Sequence, residues 1–161
     1  MPTVQTFRNN TAPVDAPNRQ GRKGWKNMDG NKLKEMSPRL SMSGEFLRDA
    51  KRSSLSSMSR LRCGFESAYL VLCEIAVAYG VVLDGLTHPA QQVLEQGMDG
   101  LDATDEERAC IDALAEWIKA DCIGLQPCSA DDICDVAEGL LRRYRMKPGG
   151  FSIEVASNRE P

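Results

Sequence analysis

The chain has 161 residues, 42 % hydrophobic and 27 % charged, with a formal net charge of −3. That length suits one domain with tails, and no stretch reaches the roughly 20 apolar residues of a membrane-spanning helix. The modest net charge hides a division: residues 1–52 hold 11 Lys and Arg against 5 Asp and Glu, whereas residues 53–161 hold 9 against 18. A basic arm on an acidic body fits simple solvation, contact with nucleic acid, or folding back onto the body. The opening MPTVQTFRNN lacks the charged-then-apolar pattern of an export signal, so a cytoplasmic protein is expected.

Residues 1–42 contain Pro2, Pro13, Pro17 and Pro38 among many Asn, Gly, Lys and Arg, without a sustained hydrophobic period. They read as a basic, disordered arm, in which Trp25 is the residue suited to docking on the body or on a partner. A helical domain is expected over 43–147 and a tail over 148–161.

Five helices are predicted. The first covers about 44–55, with Ser43 as its N-cap. The second covers about 58–79: Leu61, Phe65, Ala68, Tyr69, Leu72, Ile75, Ala76 and Tyr79 recur at spacings of three and four, and Gly80 stops the helix. Val71 and Val77 widen its apolar face, which marks it as central. The third covers about 89–97, with Pro89 at the first helical position and Gly97 near the end. The fourth starts at Thr104-Asp105-Glu106-Glu107, a capping box in which side chains satisfy the free N–H groups of the first turn. Its apolar face is Cys110, Ile111, Leu114, Trp117 and Ile118. The fifth starts at Ser129, with Asp131 and Asp132 favourable to the helix dipole, and carries Ile133, Val136, Ala137, Leu140, Leu141 and Tyr144. Lys147-Pro148-Gly149-Gly150 breaks it. Phe151 to Val155 then alternates like a strand without an evident partner. The expected fold class is all-α, a four-helix up-down bundle with an additional short N-terminal helix.

The six cysteines, Cys63, Cys73, Cys110, Cys122, Cys128 and Cys134, fall mostly in helical, partly apolar segments, which favours free thiols. A structural zinc site would want C-x2-C pairs or several histidines; the chain has a C-x5-C-x5-C run and His88 alone. Neither a metal nor another cofactor is expected.

Arg60 and Arg62 stand at the front of the second helix, where the dipole already supplies partial positive charge. Arg142, Arg143, Arg145 and Lys147 close the fifth helix, where positive charge is favourable. Short connections favour antiparallel neighbours, which brings the two groups to one end of the bundle. Two readings of Arg60 and Arg62 stay open. One is structural, with Glu66 as a local partner for Arg62. The other is an anion or nucleic-acid site, in which N–H groups, dipole and guanidinium forks converge on phosphate. His88, by the same count, lies at the far end in a loop or cap role.

Ser59-Arg60-Leu61, Phe65, Ala68-Tyr69, Ala76, Gly80 and Gly85…His88 together make the stretch 53–97 similar to the opening of HEPN-type helical domains. Many HEPN domains are metal-independent ribonucleases or belong to toxin–antitoxin and nucleotidyltransferase systems. The resemblance implies the fold and an RNA- or nucleotide-linked context, such as a toxin–antitoxin or defence system. It does not imply catalysis, because the ribonuclease members carry Arg-x4–6-His and this chain has no histidine after Arg142, Arg143 or Arg145. The leading expectation is a non-catalytic module binding RNA, a nucleotide or another phosphate ligand through Arg60, Arg62, Arg142, Arg143, Arg145 and Lys147. The alternative is a protein-interaction or homodimerisation bundle with no nucleic-acid role.

Overall fold

The computed structural model describes residues 37–147. Trp25, most of the expected arm and the strand-like 151–155 lie outside the described residues. The described chain is all-helical, in five helices: α1 Pro38–Ala50, α2 Ser57–Ala78, α3 Gln91–Gly100, α4 Asp105–Lys119 and α5 Ala130–Met146. None of them is long and apolar enough to cross a membrane.

Local chemistry sets most of the boundaries. Thr104 accepts from the Glu107 N–H while the Glu107 side chain accepts from the Thr104 N–H, which is the predicted capping box. Ser129 and Asp132 form a second reciprocal pair at the start of α5. Gly80 follows the end of α2 with φ of +92°, a conformation that costs glycine little.

Two helices differ from the sequence expectation. α1 starts at Pro38, within the stretch read as arm, because Ser37 caps the Arg39 N–H and proline suits the first turn. Ser43, expected as its cap, is buried mid-helix and donates instead to the Ser67 carbonyl of α2 at 2.8 Å. α3 starts at Gln91, after a buried Pro89 that stays outside the helix, and it runs past Gly97 to Gly100. Gly97 is a contact point rather than a stop: a Cβ placed there would sit 2.6 Å from Leu72 Cβ, so glycine allows α3 to approach α2 closely.

α2 is the central element and packs against all four others. Leu61, Phe65, Leu72 and Ile75 are fully buried along it, and Leu94, Ile111, Leu114, Ile133 and Leu140 close over them from α3, α4 and α5.

The helix directions are not a simple alternation. α1 opposes α2, since Arg39 near its start pairs with Glu74 near the end of α2 at 2.8 Å. α5 runs in the same sense as α2: Asp131 in its first turn reaches Arg60, and Ile133 packs on Gly64. α4 opposes α5, with Glu107 of its first turn on Arg143 of the last turn of α5. α3 also follows α2, with its start beside Tyr69 and Gly97 against Leu72. The cause is the connection 79–90. It returns along α2 until the Ala90 N–H donates to the Tyr69 hydroxyl at 3.0 Å, so α3 begins part-way back. That one return reverses the expected sense of every later helix.

Candidate functional site

The reversal separates the two basic groups. Arg60 belongs to the end of the molecule where α2 and α5 start, and Arg142 to Lys147 belong to the end where they finish.

Arg60 has internal partners. Its Nε donates to the carbonyl of Ala50, the last residue of α1, at 2.7 Å, and its Nη2 donates to Asp131 at 2.8 Å. A guanidinium opposed to the α2 dipole therefore lies at the negative end of α1 and beside a carboxylate. Arg62 is exposed and has no ion-pair partner among the described residues. Glu66, expected beside it, is 2.8 Å from His88 Nε2 instead.

The C-terminal group divides in the same way. Arg143 Nη2 donates to Glu107 at 2.5 Å and fastens α5 to α4. Lys147 lies 3.6 Å from Asp102. Arg142 and Arg145 are exposed, with no ion-pair partner among the described residues, and they edge an open groove of about 420 Å³ between α1 and α5. Its other walls are Leu47, Leu141, Met146 and Glu138. Met146 is 76 % exposed, a large apolar side chain left in water beside two free cations.

The arginines belong to a longer pattern that the sequence reading passed over. Asp131, Asp135, Glu138, Arg142 and Arg145 are all exposed. Their spacings of four, three, four and three place them in one stripe along α5. The stripe is acidic in its first part and basic in its second. Glu138 is ion-paired with Lys51 of α1, and Asp131 with Arg60. The clue was present in the helical spacing of the acids and bases together. Treating the arginines as a separate cluster concealed it.

His88 does not lie at the far end of the bundle from Arg60 and Arg62. The turn carrying it packs on the first half of α2, with its ring 4.4 Å from Tyr69 and 6.2 Å from Phe65, centroid to centroid, edge-on in both cases. Phe65, Tyr69 and His88 thus serve one structural junction. Tyr69 is buried and its hydroxyl accepts the Ala90 N–H; burial pushes its titration up despite that bond. Tyr144 is likewise buried, and burial raises it too. Neither presents a free stacking face.

All six cysteines are free thiols. Among the described residues there is no group of three or more His, Cys, Asp and Glu arranged to hold a metal ion. Compared with known proteins, the chain matches no family model, no curated protein and no solved structure.

Proposed function

We propose that the protein is a non-catalytic, HEPN-like helical module that acts as a homodimer, with the charged stripe of α5 and the α1–α5 groove as its interface. The observation carrying this reading is the order of charge along the stripe. An isologous twofold contact pairs the same surface on both copies. With two α5 helices antiparallel, Asp135 faces Arg145 of the second copy and Glu138 faces its Arg142 in one register, while Asp131 stays with Arg60 of its own chain. Met146, exposed on the groove beside the stripe, supplies apolar surface that association removes from water, over a floor of the already buried Leu47 and Leu141. Glu138 would exchange or share its bond to Lys51 on pairing.

A phosphate or RNA ligand finds less support. Nucleic acid needs several cations that track a backbone. Arg60, Arg143 and Lys147 hold internal partners, and the acids of α5 interrupt the basic surface. The HEPN reading rests on the quoted sequence pattern.

The test is a charge swap read by sedimentation velocity over a wide concentration range. The wild type should dimerise. Arg142→Glu/Arg145→Glu should be monomeric, as should Asp135→Arg/Glu138→Arg. An equimolar mixture of the two variants should recover a heterodimer. A wild type that stays monomeric, or a dimer indifferent to both variants, overturns the proposal. Binding of mixed-sequence single-stranded RNA by the wild type, lost in Arg142→Glu/Arg145→Glu, would favour the phosphate reading instead.

A further inference from the structure

Cys110 lies in the second turn of α4, and Cys128 is the last loop residue before the cap of α5. Their sulfur atoms are 3.5 Å apart, and both side chains are only partly buried. Cys73 and Cys134, by contrast, are buried in the core.

We propose that Cys110 and Cys128 form a redox site: a peroxide oxidises the pair to an intrachain disulfide that fastens the loop between α4 and α5.

Three observations support it. The sulfurs already approach within 3.5 Å, and a disulfide brings them to about 2.05 Å with a dihedral of about ±90°. The partner side is a loop, 120–128, rather than two rigid helices, so the closing movement need not break a helix. The site is also chemically asymmetric. The hydrogen bond between the sulfurs lowers the titration of Cys110 and raises that of Cys128, so Cys110 loses its proton first and its thiolate is held by the Cys128 S–H. Thiolate, not thiol, is the nucleophile.

The chemistry balances with hydrogen peroxide as oxidant. The Cys110 thiolate attacks one peroxide oxygen and breaks the O–O bond. Cys110 becomes a sulfenic acid, and the departing hydroxide takes a proton to become water. The Cys128 sulfur then attacks the Cys110 sulfur, the S–S bond forms, and the sulfenic oxygen leaves as a second water with the remaining proton. Two electrons pass from the two thiols to the peroxide. A dithiol reductant reverses the bond by exchange.

The bond would act on a loop that exposes two large apolar residues. The loop carries Ile123 at 76 % and Leu125 at 94 % exposure, and Asp121, Cys122 and Gly124 hold positive φ. Gln126 also ties the loop, its side chain accepting from Ser57 at the start of α2 at 2.8 Å. A covalent link at Cys128 narrows the conformations in which Ile123 and Leu125 are presented.

The experiment treats the reduced full chain with hydrogen peroxide, alkylates the remaining thiols, and maps tryptic peptides without reduction. The peptide Ala109–Lys119 contains Cys110 as its sole cysteine, and Ala120–Arg142 contains Cys122, Cys128 and Cys134. A linked pair of these peptides, lighter by two hydrogens, with Cys128 identified by fragmentation and the link lost on treatment with dithiothreitol, is the expected result. Cys122→Ser should keep the link. Cys128→Ser should lose it and leave a Cys110 sulfenic acid that dimedone traps. The proposal fails if the wild type goes to Cys110 sulfinic acid without a link, or if the bond forms through Cys122 or Cys134. The wild-type map decides this whether or not Cys128→Ser folds.

Discussion

The Nε of Arg60 donates to the carbonyl oxygen of Ala50 at 2.7 Å, so a side chain from the start of α2 closes the end of α1. The same guanidinium reaches Asp131 of α5. One residue therefore joins three helix ends, two N-terminal and one C-terminal, and the dipole of α1 and the carboxylate of Asp131 offset the adverse dipole of α2.

Arg60→Ala should destabilise the fold by about 1.5–3 kcal/mol, the range for hydrogen bonds made by a charged group. Asp131→Ala should cost less than ~1 kcal/mol, because its side chain is 84 % exposed and solvent screens the pair. Urea unfolding of both variants checks the order. An Arg60→Ala protein as stable as the wild type would remove the capping role.

Much of the fold was legible because it rests on local chemistry. The Thr104 and Ser129 caps, the period of α2 and the Gly80 stop each depend on residues within a turn or two. The errors have physical causes as well. Pro38 was read as a disordering residue, although Ser37 before it makes the pair a helix start. The directions of α3, α4 and α5 depend on a connection that doubles back to Tyr69, which no short-range pattern encodes. For the same reason the two basic groups do not meet at one end, and the partners of Arg60, at Ala50 and Asp131, and of Arg143, at Glu107, are fixed by packing. What survived of the basic edge, Arg142 and Arg145, gains meaning only when read with the acids on the same face of α5.

Gly97 and Gly44 should respond oppositely to alanine. A Cβ at Gly97 meets Leu72 Cβ at 2.6 Å and its Cα at 2.8 Å, and the backbone of α2 has nowhere to retreat. Gly97→Ala should cost about 1–3 kcal/mol through overpacking. Nothing lies within 4 Å of a Cβ at Gly44, inside α1, so Gly44→Ala should gain roughly 0.5–1 kcal/mol of helix propensity. Thermal unfolding of the pair tests the packing: a stabilising Gly97→Ala would mean that α2 and α3 are not in close contact.

Ser43 and Ser67 are the buried polar residues of the α1–α2 contact, with hydroxyls 3.1 Å apart and the Ser43 hydroxyl donating to the Ser67 carbonyl. Ser43→Ala leaves that polar site with one partner fewer and should cost about 1–3 kcal/mol. Ser41→Ala, two residues earlier and exposed, should change stability by less than roughly 0.5 kcal/mol. Equal effects from the two variants would show that the buried bond does not set how α1 docks.

Alkaline pH should loosen the core in a defined window. Burial raises the Cys73 thiol from 9.0 to about 11, and it raises Cys63, Cys134, Tyr69 and Tyr144 as well. The folded chain then holds protons that the unfolded chain releases, so the unfolding free energy falls as pH rises. For Cys73 the contribution is fully present below about pH 9 and is lost as pH rises through about 11. Urea midpoints under reducing conditions should therefore drop across that interval. Cys73→Ala should be less stable at neutral pH because of the missing sulfur, yet show a shallower alkaline slope. Identical slopes for variant and wild type would mean that Cys73 keeps access to water in the fold.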